Sequence, residues 1–237
     1  MPVTVTIVVP TYNERENLAP LAQRVFNAVN PTAAELLIVD DDSPDATAEE
    51  AVRLSREYPI RVVVRRSERG LATAVIEGIR AARGDLVVVM DADLSHPPER
   101  IPALVEALRD PGVRMAVGSR FVPGGKVDLY WPLHRRLISR VGRWLARPLT
   151  GVKDMASGFF AVRRADVRAD ILRPIGYKIL LEIVVRHGWK NVVELPIVFT
   201  DRAAGHTKLN LAEQVRYLRH LCRLYAFVLC GGRRGRR

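Results

Sequence analysis

Leu86-Val87-Val88-Val89-Met90-Asp91-Ala92-Asp93 is the stretch whose reading decides the fold. Its five apolar residues, three of them valine, are too few for a helix and read as a strand buried on both faces, as parallel sheets require. Two carboxylates follow at once. Upstream, residues 3–9, 35–39 and 60–64 carry the same strand pattern, and helical periodicity fills 14–29, 46–58 and 71–82. This alternation predicts an α/β fold: a doubly wound, mostly parallel sheet with right-handed crossovers.

Ligands of such sheets sit beyond the carboxyl ends of the strands, so the residues after each apolar run are the ones to inspect. Pro10, Thr11, Tyr12, Asn13 and Glu14 follow the first strand, Asp40, Asp41, Asp42, Ser43, Pro44 and Asp45 the second, and Asp91, Ala92 and Asp93 the fourth. Three acidic clusters therefore converge on one edge. In an extended chain residues i and i+2 point the same way, so Asp91 and Asp93 face one point and call for a hard divalent cation, Mg²⁺ or Mn²⁺, that would bridge them to a diphosphate. The aspartates at 40–42 suit the hydroxyl and amino donors of a nucleoside. They equally suit a helix start, for which Ser43, Asp45 and Thr47 are good caps. His96, before Pro97 and Pro98, reads as the end of a turn rather than a ligand. A P-loop, a G-x-G-x-x-G after the first strand and an H-E-x-x-H are all missing, which removes support for ATP hydrolysis and NAD chemistry.

Charge divides sharply along the 237 residues. Residues 1–110 hold 12 basic and 18 acidic side chains, and the remainder 25 and 8, so the net +11 is entirely C-terminal. Such a half can hold nucleic acid, anionic lipid or a phosphorylated substrate. The acidic strand ends argue against a nucleic-acid-binding module; a nucleotidyltransferase would use the same paired aspartates and release pyrophosphate. No apolar run approaches the roughly 20 residues of a spanning helix and no secretory signal is visible, which predicts a cytoplasmic protein, with Cys222 and Cys230 as reduced thiols.

Pro10-Thr11-Tyr12-Asn13-Glu14-Arg15-Glu16-Asn17, Val39-Asp40-Asp41-Asp42-Ser43-Pro44-Asp45, Met90-Asp91-Ala92-Asp93-Leu94-Ser95-His96-Pro97, Gly118-Ser119-Arg120, Ser157-Gly158-Phe159-Phe160, and Asp201-Arg202 with Gly205 and Lys208 together resemble the dolichol-phosphate (polyprenol-phosphate) mannosyltransferases, inverting family 2 glycosyltransferases. The resemblance covers nearly the whole chain. It implies a Rossmann-like core of the nucleotide-sugar transferase A type that moves mannose from GDP-mannose to a polyprenyl or dolichyl phosphate; a UDP-sugar donor is the alternative. It further implies that Pro10, Tyr12, Glu14, Asp40, Asp41 and the 91–93 triplet, Ala92 included, bind the nucleotide-sugar. Asp91, Asp93 and Ser95 would surround a divalent metal, Arg120 and Arg135 would face the acceptor phosphate, and Arg202 with Lys208 would close over the diphosphate. Many such proteins carry C-terminal transmembrane helices that are not found here, so a peripheral association with the cytoplasmic face of a membrane, a separate membrane subunit, or a truncated C-terminus is expected. His206 and Thr207 stand where the family commonly has an acid and serine.

The resulting organisation is a catalytic domain over 1–208, divided into a nucleotide-sugar half (1–110) and an acceptor half (111–208), followed by an amphipathic basic helix and tail at 209–237. Asp154 and Glu182 are read either as sugar contacts or as ion-pair partners of arginines. In the C-terminal helix Leu211, Val215, Leu218, Cys222, Tyr225 and Leu229 form one apolar stripe, expected to pack on the core or, aided by Arg233, Arg234, Arg236 and Arg237, to face lipid. Residues 130–144 offer a second such element, with Trp131, Leu133, Leu137, Ile138 and Trp144.

Overall fold

The structure, a computed structural model, describes residues 4–127, 133–200 and 211–232; at 133–137, 139, 211 and 212 it describes the backbone only. In chain order the elements are β1 (Val5–Thr11), α1 (Arg15–Ala28), β2 (Ala34–Asp40), α2 (Thr47–Leu54), β3 (Ile60–Val64), α3 (Leu71–Ala81), β4 (Leu86–Val89), α4 (Ile101–Ala107), β5 (Met115–Ser119), β6 (Lys126–Val127), α5 (Leu133–Ala146), β7 (Phe160–Arg163), α6 (Ile179–His187), β8 (Val192–Pro196), β9 (Val198–Phe199) and α7 (Leu211–Leu229).

Seven strands form one sheet in the order β3-β2-β1-β4-β7-β5-β8, and β6 pairs with β9 in a second, two-stranded sheet. The main sheet is the expected mostly parallel one, with β7 as its antiparallel member between β4 and β5. The chain starts centrally at β1, winds outward through β2 and β3, then returns to place β4 on the other side of β1. The crevice beyond β1 and β4 is thus a topological switch point, where open α/β sheets bind ligands.

Both faces are covered, which is why the strands read as continuous apolar runs. Ile7, Val9, Leu36, Ile38, Val88 and Met90 point to the layer of α1, α2 and α4. Val8, Leu37, Val39, Val87 and Val89 point to α3, α5, α6 and α7. Helix α3 lies so close to β1 that a Cβ on Gly78 would fall 2.3 Å from Val8 Cγ1.

Two expectations need correction. Helix α2 ends at Leu54 rather than reaching Tyr58, because Pro59 disfavours helical backbone in the residue before it and the chain closes with turns instead. Of the α7 stripe, for which packing on the core is the favoured of two readings and a lipid-facing one the other, Val215, Leu218, Cys222 and Leu229 are exposed and Tyr225 is partly buried against the core. Tyr217, His220, Leu221 and Leu224 make the buried face instead, since α7 carries two apolar stripes and only packing chooses between them.

Candidate active site at the switch point

The loops after β1 and β2 are sewn together. Backbone amides of Asn13, Glu14 and Arg15 donate to Ser43 Oγ (3.0 Å), Thr47 Oγ1 (3.0 Å) and Asp45 Oδ2 (3.2 Å). These amides lie at the start of α1, so side chains expected to cap α2 reach the neighbouring helix; Asp45 serves both, its Oδ1 accepting from Thr47 N (3.0 Å) at the start of α2, whose own Ala46 has no side-chain cap. Asp40 is fully buried and committed: Oδ1 accepts from the hydroxyls of Thr11 (2.8 Å) and Ser43 (2.6 Å), and Oδ2 from Ser43 N (2.8 Å). Asp41 accepts from both Arg65 Nε (2.8 Å) and Arg65 Nη2 (2.5 Å) on one oxygen and from Gly70 N (2.7 Å) on the other. Glu14 accepts from Asn17 Nδ2 at 2.7 Å. Tyr12 lies in the loop after β1, with the Arg69 guanidinium 5.4 Å from its ring centroid.

Among the described residues, four non-glycine residues have left-handed backbone: Asn13, Asp42, Ala46 and Leu94. All four lie in the loops after β1, β2 and β4. Strain of this kind persists where surrounding bonds over-determine it, which the stitching above supplies.

The two carboxylates of the 91–93 triplet are placed differently from the extended-chain expectation. β4 stops at Val89, so residues 91–93 bend beyond the sheet, and the left-handed Leu94 turns the chain back. Asp93 is buried and its Oδ1 accepts from Ser95 N (3.1 Å) and Ser95 Oγ (2.5 Å), while Ala92 is buried beside it. Asp91 is partly exposed. A Cβ on Gly158 would meet its carboxylate oxygens at 2.9 and 3.0 Å, so the glycine keeps the space before Asp91 clear. Among the described residues no three His, Cys, Asp or Glu side chains form a metal cage. The donors present, two carboxylates and the Ser95 hydroxyl, are all oxygen, the set a Mg²⁺ or Mn²⁺ ion uses when substrate phosphates complete its shell.

His96 serves as packing, as its sequence context suggests. It is buried, accepts from Asp91 N through Nδ1 (3.3 Å), stacks on Phe159 and meets Phe199 edge-on. Burial holds its pKa below the ordinary value against the pull of Asp91 and Asp93.

Phe199 also receives Arg120, whose Cζ lies 4.9 Å from the ring centroid. Its fork is bidentate to the fully buried Asp154, Nε to Oδ2 at 2.8 Å and Nη2 to Oδ1 at 2.7 Å, and its backbone N adds a third bond at 3.0 Å. Glu194 on β8 fixes that loop by accepting from the amides of Lys153 and Asp154. Asp154 is therefore the ion-pair partner. So is Glu182 on α6, which takes Arg186 Nε (3.0 Å), Arg173 N (2.7 Å) and His220 Nε2 (2.7 Å). Sequence reasoning missed Arg65, Arg143 and Lys178, whose importance depends on distant neighbours, and it quoted Gly158 within a motif without giving it a role. Arg202 and Lys208 lie outside the described residues, as does the side chain of Arg135.

Residues 6–171 match the family model described as Glycosyl transferase family 2. The chain is 49% identical over 224 residues to the dolichol-phosphate mannosyltransferase of Pyrococcus furiosus, covering 93% of this chain and spanning 63% of that relative's length. It is 39% identical over 239 residues to the dolichol-phosphate mannosyltransferase of Saccharomyces cerevisiae, covering 96% of this chain and 89% of that one. Among solved structures, glucosyl-3-phosphoglycerate synthase from Mycobacterium tuberculosis, crystallised with Mn²⁺, UDP-glucose and phosphoglyceric acid, superposes with a TM-score of 0.74 at 20% identity, over 94% of this chain and 80% of that one. At that identity the likeness is one of fold.

Proposed function

We infer the reaction from one premise: the chain belongs to glycosyl transferase family 2 and, within it, to the dolichol-phosphate mannosyltransferase group. The proposed reaction moves a mannosyl group from GDP-mannose to a dolichyl or other polyprenyl phosphate. The observation that carries it is the 39% identity maintained over 89% of the yeast relative.

The site supplies a consistent mechanism. A phosphate monoester has its second pKa near 6, so at neutral pH the acceptor is already an oxyanion nucleophile. No strong side-chain base is required, in keeping with a neutral, buried His96. One acceptor oxygen forms a bond to the anomeric carbon on the face opposite the nucleotide, the bond from that carbon to the diphosphate oxygen breaks, and its electron pair leaves with GDP, inverting the centre. Asp91, Asp93 and Ser95 would hold the divalent ion, Mg²⁺ or Mn²⁺, whose chemistry is to neutralise charge on the departing diphosphate. Pro10, Tyr12, Glu14 and Asp41 would line the nucleoside pocket, with Asp40 bracing its loop. Arg202 and Lys208 would close on the diphosphate, and Arg120 and Arg135 would face the acceptor phosphate.

No helix among the described residues is long and apolar enough to cross a membrane. Access to a lipid-linked acceptor would come through a surface contact. Ile138, Val141 and Trp144 on α5 and Val215 and Leu218 on α7 are exposed, and Tyr217 and Tyr225 of α7 bond the α5 carbonyls of Gly142 and Leu145. Apolar side chains bordered by Arg140, Arg216 and Arg219 suit an interface of anionic lipid.

The test is a donor panel of GDP-mannose, UDP-glucose and UDP-GlcNAc with dolichyl or undecaprenyl phosphate and Mg²⁺ or Mn²⁺. Acceptor-dependent GDP release with a β-linked mannosyl product is expected. Release from a UDP-sugar alone would replace the donor, and release of pyrophosphate would replace the reaction class.

A further inference from the structure

Among the described residues, two cations beside the Arg120–Asp154 pair have no anion bonded to them. Lys178, immediately before α6, is partly buried, and among the described residues its Nζ has neither a carboxylate nor a carbonyl partner; it lies 4.2 Å from the ring centroid of Tyr217 and 5.2 Å from that of Tyr177. Arg143 on α5 lies with its Cζ 3.6 Å from the Phe121 ring centroid, and its Nε is buried without a hydrogen-bond partner. Phe121 also receives Arg120 (5.4 Å), and Tyr217 ties the group to α5 through Gly142, so these side chains form one cluster.

The carboxylates nearby are already committed. Asp154 is taken by Arg120, Glu182 by Arg186, His220 and the Arg173 amide, and Glu213 holds Arg216 at 2.6 Å. Burial and the Arg120 charge push the Lys178 ammonium down to about 8, and Arg143 is likewise lowered, chiefly by burial. Three cations around one carboxylate are an expensive arrangement to keep in a folded protein unless an anion arrives to complete it.

We propose that Lys178 and Arg143 complete the binding cradle for the acceptor's phosphate monoester, next to Arg120, and select a dianionic head group over a phosphodiester. The proposal rests on the transferase reading and adds these two positioning residues to it. A lysine point charge and a guanidinium edge from different elements match a tetrahedral dianion better than a monoanion, which can satisfy only part of the excess charge.

The experiment titrates wild type, Lys178→Met, Lys178→Arg and Arg143→Gln with farnesyl phosphate and with inorganic phosphate by calorimetry. In parallel it measures KM for a polyprenyl phosphate and for GDP-mannose, and checks folding by thermal melting. Lys178→Met should weaken farnesyl phosphate binding and raise acceptor KM at least tenfold, with donor KM within twofold of wild type. Lys178→Arg should recover most of the loss, Arg143→Gln should give a severalfold loss of the same affinity, and a farnesyl phosphodiester titrated alongside should bind wild type at least tenfold more weakly than farnesyl phosphate and gain nothing from Lys178. Competition by inorganic phosphate places recognition in the head group; no competition places it in the isoprenoid chain and overturns the cradle. Acceptor binding unchanged in a folded Lys178→Met protein, or in Lys178→Gln should the methionine variant not fold, also overturns it. A wild type that binds farnesyl phosphate through Lys178 yet transfers no sugar keeps the cradle and removes the transferase reading. Transfer with unaltered acceptor KM in Lys178→Met does the reverse.

Discussion

Asp40 and Lys178, one in each half of the chain, are charged groups withdrawn from water that differ in what answers the charge. The Asp40 carboxylate receives three hydrogen bonds, from Thr11 and Ser43, and its neighbours Asp41 and Asp45 are similarly engaged by Arg65, Gly70, Arg15 and Thr47. Among the described residues Lys178 meets aromatic faces and no carboxylate, and Arg143, in the same cluster, carries a buried nitrogen with no partner. In the acidic first half, charge is used to fix loop shape. The basic second half keeps positive charge available, and a site that must take up a dianion gains by leaving its cations uncommitted until the ligand arrives.

The contrast can be broken at its strongest point by Asp93→Asn. The amide keeps an acceptor for Ser95 but loses the charge, so turnover should fall by on the order of 10³-fold with the melting temperature nearly unchanged. Near-normal metal-dependent activity would remove the central assignment. Asp154→Ala tests the other half: it strips the one carboxylate from three cations and should cost about 3–5 kcal/mol in denaturant unfolding, because a buried guanidinium is left unpaired. A loss below about 1 kcal/mol would mean that water screens the pair.

A smaller effect is expected on the outer face of α5 and α7. Replacing Trp144, 70% exposed, and Val141 by serine should weaken flotation with anionic liposomes by about tenfold while leaving turnover of a short soluble acceptor intact. Equal flotation would move the lipid contact elsewhere. The smallest change is a gain: Lys178→Met should stabilise the fold by about 1 kcal/mol at pH 7, since it removes an unpaired charge. The sign follows from the depressed folded-state pKa of about 8 against the usual 10.5. The destabilisation by the charged lysine is full below pH 8 and disappears towards pH 10.5, so the variant's advantage should fade across that window.

The strands and helices of the first half were legible to within a residue or two at most ends, because β1, β2 and β4 are buried on both faces and their apolar runs have no second interpretation. The convergence of residues 10–14, 40–45 and 91–93 followed from the sheet alone. What sequence could not supply were choices made by distant neighbours. Ser43, Asp45 and Thr47 look like caps for the helix that follows them, yet all three take amides at the start of the helix packed alongside and Asp45 alone also takes one of α2. Leu218 and Leu221 in α7 are chemically alike, and the core selects the second. Lys178 is inconspicuous in the chain and becomes notable only where α6, α7 and the Arg120 loop meet.

The stitching of the first two loops has a consequence for how a donor would be received. Because the amides of Asn13, Glu14 and Arg15 rest on side chains from residues 43–47, Tyr12 and Asp41 move as one rim. The conformational entropy of that rim is spent during folding, so a nucleotide would meet a preorganised wall and lose little affinity to ordering it. Amide hydrogens at residues 13–15 would then exchange with solvent as slowly in the empty protein as in the loaded one.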